Sequence, residues 1–182
     1  MRGAYFSTFQ LILLALFSGL IVVSKIALRT PIQFPGHTGI FWMAILVVAA
    51  GVVPKRGAAS LTGLTSGILA AFLGLGDFGA LDTLVSYPVA GVGVDLGLWL
   101  MQAGPENLLV ATLAGAIGHL GKYLVKWVFG LISGAPLGFI ALGLVWSLAS
   151  YILFGALGGL LGGLTLLALK RAGFFAYLAE KK

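Results

Sequence analysis

108-LLVATLAGAIGHLGKYLVKWVFGL-131 is long and apolar enough to cross a membrane as a helix, yet it carries three basic side chains. His119, Lys122 and Lys126 stand at i, i+3 and i+7, which puts them on one helix face. A charge at the centre of the hydrocarbon costs roughly 2.5–3.5 kcal/mol on insertion scales, so such a face turns toward a bundle interior or a water-filled cavity. The stretch therefore predicts an all-α, polytopic membrane protein built around a polar pocket.

Composition points the same way. Hydrophobic residues make up 60% of the chain and charged residues 9%. A soluble domain carries about 25% charged residues, so this chain lacks the polar surface to cover one. Its 182 residues leave room for six spans and short loops, read as one membrane domain over 1–182. Cysteine is absent, which excludes a disulfide framework and thiolate chemistry. The net charge is +6, but the basic residues lie at span ends and inside spans. No aromatic-interleaved basic patch is present, so nucleic acid is not an expected partner.

Turn residues divide the chain into a six-transmembrane-helix bundle, with spans at about 9–28, 38–53, 58–75, 82–101, 108–131 and 137–169. The N-terminal apolar run is too long for a signal peptide and has no clean cleavage site, so it reads as the first retained span. The dividers are the Arg29–His37 loop with Pro31 and Pro35, Pro54-Lys55-Arg56-Gly57, Gly76–Gly79, Gln102–Asn107 and Ser133–Pro136. The tail from Ala172, with Phe174, Phe175 and Tyr177, reads as a surface-lying segment. Arg2, Lys55, Arg56, Lys170, Arg171, Lys181 and Lys182 gather on one side, against Lys25, Arg29 and, loosely, Lys126 on the other. The positive-inside rule then places the protein in the cell membrane with both termini cytoplasmic.

Several polar residues are candidates for a substrate site. At 1.5 Å per residue, Asp95 and His119 fall at similar mid-membrane depth, with Lys122 one turn further out. Asp95 reads either as a buried ion-pair partner of Lys122 or His119, or as a substrate or proton site. His37 follows Pro35-Gly36 on an outer loop, and Asp77 and Asp82 flank another. Trp42 and Tyr87 are the expected aromatic walls, whereas Trp127 reads as an interface residue. Lys25 and Lys126 read as snorkelling to the interface or as part of the polar path.

Small residues repeat at i, i+4 as Ala15/Gly19, Gly63/Gly67, Gly155/Gly159/Gly163 and Gly158/Gly162. Such pairs let helix backbones approach closely in lipid. They serve packing inside the bundle or docking of a partner subunit, and Ala15 with Gly19 is the candidate docking face. There is no P-loop, GxSxG or HExxH motif, and His37, His119 and the three Asp residues do not form a metal-ligand spacing within one span. No enzymatic activity, cofactor or metal is expected.

The stretch from Phe34 to Trp99, with 39-GIFWMAILVVAAGVVPKRGAASLTGLTSGILAAFLG-74 at its centre, resembles the YkoE-type S components of energy-coupling factor (ECF) transporters. The matching features are Trp42 in the second span, the basic-Gly-Ala-Ala turn at Lys55 to Ala59, and the small-residue third span ending in Leu73-Gly74. The resemblance implies a high-affinity binding subunit for a vitamin or precursor, of the thiamine or hydroxymethylpyrimidine kind. It also implies association with a transmembrane coupling subunit and two cytosolic ATPases, and assigns the coupling contact to the first span, where Ala15 and Gly19 lie. Lys25, Lys122 and Lys126 depart from the pattern and suit an anionic or neutral heterocycle better than a cation. The competing readings are a stand-alone channel or proton-coupled secondary carrier using Asp95, His119 and Lys122, and an intramembrane enzyme or assembly factor.

Overall fold

A computed structural model describes residues 5–27, 35–76, 78–134 and 137–175, with side-chain detail in the last stretch from Trp146 onward. Asp77, Arg29 and Tyr177 lie outside the described residues. The described chain is all helical, with six helices: α1 (Thr8–Ala27), α2 (Gly39–Val52), α3 (Ala58–Phe72), α4 (Ala80–Met101), α5 (Leu108–Ile132) and α6 (Leu137–Arg171). The chain turns from α2 to α3 at Gly57, whose φ of 88° a side chain would resist. Asn107 starts α5 by accepting hydrogen bonds from the amides of Leu109 and Val110 at 3.0 and 3.4 Å.

Four segments are long and apolar enough to cross a membrane: α1, α4, α5 and Trp146–Arg171 of α6. Helices α2 and α3 have only 14 and 15 residues. They rise about 21 and 22 Å, short of a hydrocarbon layer of about 30 Å. Burial explains the brevity of α2, which packs against all five other helices. It is apolar on every face because nearly every face meets protein, Phe41 being its one exposed residue. The other helices surround it: α1 lies beside α3, α3 beside α4, α4 beside α5, α5 beside α6, and α6 returns to α2.

The glycine repeats set how close these neighbours come. Gly63 and Gly67 of α3 meet the Tyr87 and Thr83 carbonyls, while Gly93 of α4 meets Gly118 of α5. Gly155 and Gly159 of α6 face α5, and Gly158 and Gly162 face α2. These repeats therefore pack within the bundle. Helix α1 is held differently, by the Ser18 hydroxyl, which donates to Leu14 O at 2.8 Å and also meets Thr62 O and the Thr65 hydroxyl across to α3.

Burial is inverted relative to a water-soluble fold. Leu16, Phe72, Leu81, Leu109 and Ile132 point outward, while Ser18, Thr62, Ser66, Asp82, Thr83, Ser86, His119 and Lys122 are buried. Lipid outside and polar groups inside account for both halves of the pattern.

Candidate functional site

Five buried residues, Trp42, Asp82, Tyr87, His119 and Lys122, gather at one end of the bundle, beneath the Pro35–Thr38 turn. Trp42 enters from the first turns of α2, Tyr87 from α4 and His119 with Lys122 from α5; they are 3%, 1%, 1% and 5% exposed. The Trp42 and Tyr87 rings stack at 5.3 Å with 28° between planes. The Lys122 ammonium lies 4.2 Å from the Trp42 ring centroid and 4.6 Å from that of Tyr87. A cation over two ring faces in a dry site is strongly held. The His119 ring meets Trp42 edge-on at 5.5 Å and lies 4.5 Å from Tyr151, whose ring is 5.3 Å from Tyr123. The result is an aromatic box with an ammonium inside.

Backbone contacts fix the box. His119 Nδ1 lies 2.8 Å from the Tyr151 carbonyl, which only accepts, so Nδ1 carries the proton. Ser150 Oγ donates to Pro35 O at 2.6 Å and ties the turn to α6. Gly36 and Gly39 let that turn lie against His119 and Tyr151, because a Cβ at Gly39 would fall on the imidazole itself. The charges of Lys25 and Asp82 both act on Lys122. Asp82 is buried in the first turn of α4, and its charge also reaches Tyr87 and Tyr151. Lys25 donates to Leu75 O at 2.6 Å and faces the Tyr87 ring at 5.5 Å, so it turns into the bundle rather than snorkelling outward.

Of the residues singled out from sequence, Trp42, Asp82, Tyr87, His119 and Lys122 come together, with His37 in the turn above them. Asp95 does not join them, which corrects its expected pairing with Lys122 or His119. Its carboxylate accepts from the Ala59 amide at 3.3 Å, the Ser60 amide at 2.7 Å and the Ser60 hydroxyl at 2.6 Å. It thus faces α3, about 9 Å from the end of α4 at Met101. A cavity at that opposite end of the bundle is lined by Asp95 with Lys55 and Arg56. Trp99, Trp127 and Trp146 are partly or largely exposed, as interface residues are, so Trp42 alone of the four enters the box. Tyr151 and Ser150 were not singled out from sequence. The signal for Tyr151 was its place on the Gly155/Gly159 face, one turn before the glycines begin.

Residues 4–121 match the family described as ABC-type cobalt transport system, permease component. The chain belongs to that family. It is a multi-pass membrane component of an ABC-type transport system. No curated protein and no solved structure matches the chain. The family match spans Trp42, Asp82, Tyr87 and His119 and ends one residue before Lys122. Among the described residues, no group of three or more His, Cys, Asp or Glu side chains is arranged to hold a metal ion.

Proposed function

We propose that this permease-family chain is the substrate-binding S component of an ECF-type importer, and that the aromatic box receives a vitamin-like heterocycle from outside the cell. The observation that carries this reading is the Trp42–Tyr87 stack with Lys122 against it, under a turn at one end of the bundle. Small-molecule sites combine apolar and aromatic walls with a few placed polar groups. The Lys55–Arg56 turn and the Lys170–Arg171 end of α6 lie at the opposite end, which the positive-inside rule makes cytoplasmic. The box then lies at the outer end of the bundle, and both termini are inside. Membership of an ABC-type family favours coupling to ATPase subunits over a stand-alone channel or proton-coupled carrier.

The family description names cobalt, and a metal ion is the competing cargo. The box favours an organic solute, because a divalent cation there would meet the Lys122 ammonium and aromatic faces, and among the described residues the carboxylate and imidazole groups are not arranged as a metal-ligand set. The test is to purify the protein, release what it holds, and analyse the release by mass spectrometry for organic solutes and metals together. Stoichiometric release of a heterocycle, lost in Trp42→Ala, supports the reading. Release of a metal ion with no organic solute, undiminished in Trp42→Ala and Lys122→Ala, overturns it.

A further inference from the structure

Two buried groups of the box that can donate hydrogen bonds have no partner. Trp42 Nε1 and the Ser86 hydroxyl are buried and have no hydrogen-bond partner. The Lys122 ammonium rests on two ring faces, which supply no lone pair. His119 gives its Nδ1 proton to the Tyr151 carbonyl, which leaves Nε2 as an acceptor. Ser86 belongs with this set by register. Gly97 lies against Ala114 and Gly93 against Gly118, and continuing that antiparallel pairing puts Ser86 opposite the turn between Lys122 and Lys126. Trp42 and Lys122 donate only, and the Ser86 hydroxyl can donate as well. Buried donors without acceptors are costly, and a ligand that brings acceptors relieves the cost.

The charge balance leans the same way. Lys25 acts on both Lys122 and Lys126, and the carboxylate acting on Lys122 is that of Asp82. Lys25, Lys122 and Lys126 thus bring three ammonium groups to this end of the bundle. The cation–π seat between Trp42 and Tyr87 is filled by the protein's own ammonium, so a cationic ring would meet repulsion where an aromatic cage normally offers attraction.

We infer that the box selects a heterocycle bearing an anionic group, a phosphate ester or carboxylate, and discriminates against cationic rings. The ring stacks on the Trp42–Tyr87 side, and the anion draws hydrogen bonds from Lys122 and Ser86. This rests on the reading of the box as a solute site.

The experiment measures binding by calorimetry, with the protein in nanodiscs of zwitterionic lipid. The probes are hydroxymethylpyrimidine, its phosphate ester, thiamine and inorganic phosphate. The ester should bind at least tenfold tighter than the neutral pyrimidine, and thiamine weakest of the three rings. Lys122→Gln should shrink the preference to about threefold or less. Ser86→Ala, which removes a group with no partner, should weaken the ester several-fold and leave the neutral ring unchanged. Thiamine binding as tightly as the ester, or an ester preference untouched by both variants, overturns the inference and leaves the solute reading standing. Inorganic phosphate binding as tightly as the ester makes this a bare anion site and overturns the selection of a heterocycle. Binding of no probe overturns the inference together with the reading beneath it.

Discussion

Asp95 of α4 accepts hydrogen bonds from both the amide and the hydroxyl of Ser60, at 2.7 and 2.6 Å, and so caps α3 from a neighbouring helix. The N-cap position of α3 is Gly57, which has no side chain to do this. A carboxylate at a helix N-terminus meets unpaired amides and the positive end of the helix dipole. Asp95→Ala should therefore destabilise the fold by about 1.5–3 kcal/mol, the range for hydrogen bonds to a charged group, and leave solute affinity unchanged. Unfolding in detergent and solute binding, measured on one preparation, check this. A loss of affinity with no loss of stability would return Asp95 to the binding site.

Gly39 lies directly against the His119 imidazole. Gly39→Ala places a methyl group where the ring stands, and either the ring or the Pro35–Thr38 turn must move. Overpacking of this kind costs about 1–3 kcal/mol. Solute affinity should fall at least as far as in His119→Ala. Wild-type affinity in Gly39→Ala would show that the position of His119 does not matter to binding.

Most of this fold was legible because helices in lipid leave two strong signals, long apolar runs and the turns that break them. All six helices fall within a few residues of the sequence-based spans, and α3 ends earliest, at Phe72. His119 and Lys122 were legible because charge in an apolar run has few places to go. Asp95 was misread because rise along a helix gives depth but not which neighbour a side chain faces. Depth alone brought it level with His119, whereas the carboxylate turns to α3. Tyr151 was missed because a tyrosine in an apolar helix carries no cost that marks it. Its role comes from a carbonyl and a ring that meet His119 only once α5 and α6 are packed.

The proposed orientation has a direct check, helped by the absence of native cysteine. Arg56 and Phe78 are exposed in loops at opposite ends of α3. In intact cells an impermeant thiol reagent should label Phe78→Cys and spare Arg56→Cys, with both labelled after lysis. The reverse pattern would put the box on the cytoplasmic side and remove uptake from outside.

Ala15 and Gly19 test the partner. In α3, α4, α5 and α6, glycines sit against a neighbouring helix, so those small-residue faces are already used. On α1 the situation differs: Ala15 is exposed, and a Cβ at Gly19 meets nothing within 4 Å. Among the described residues the helix packs mainly on α2 and α3, through Leu14, Ser18, Ile21 and Val22. A bulky residue at either position therefore faces no other part of the described chain. Ala15→Leu and Gly19→Leu should change stability by no more than about 0.5 kcal/mol, as surface substitutions do, and should leave solute affinity at the wild-type value. If a coupling subunit docks here by close backbone approach, recovery of that subunit in a pull-down should fall at least fivefold, and uptake with it. Unchanged recovery and uptake in both variants would move the docking face away from α1. Lost solute affinity would instead mean that α1 supports the box through Lys25, one and a half turns beyond Gly19, and would make this face structural.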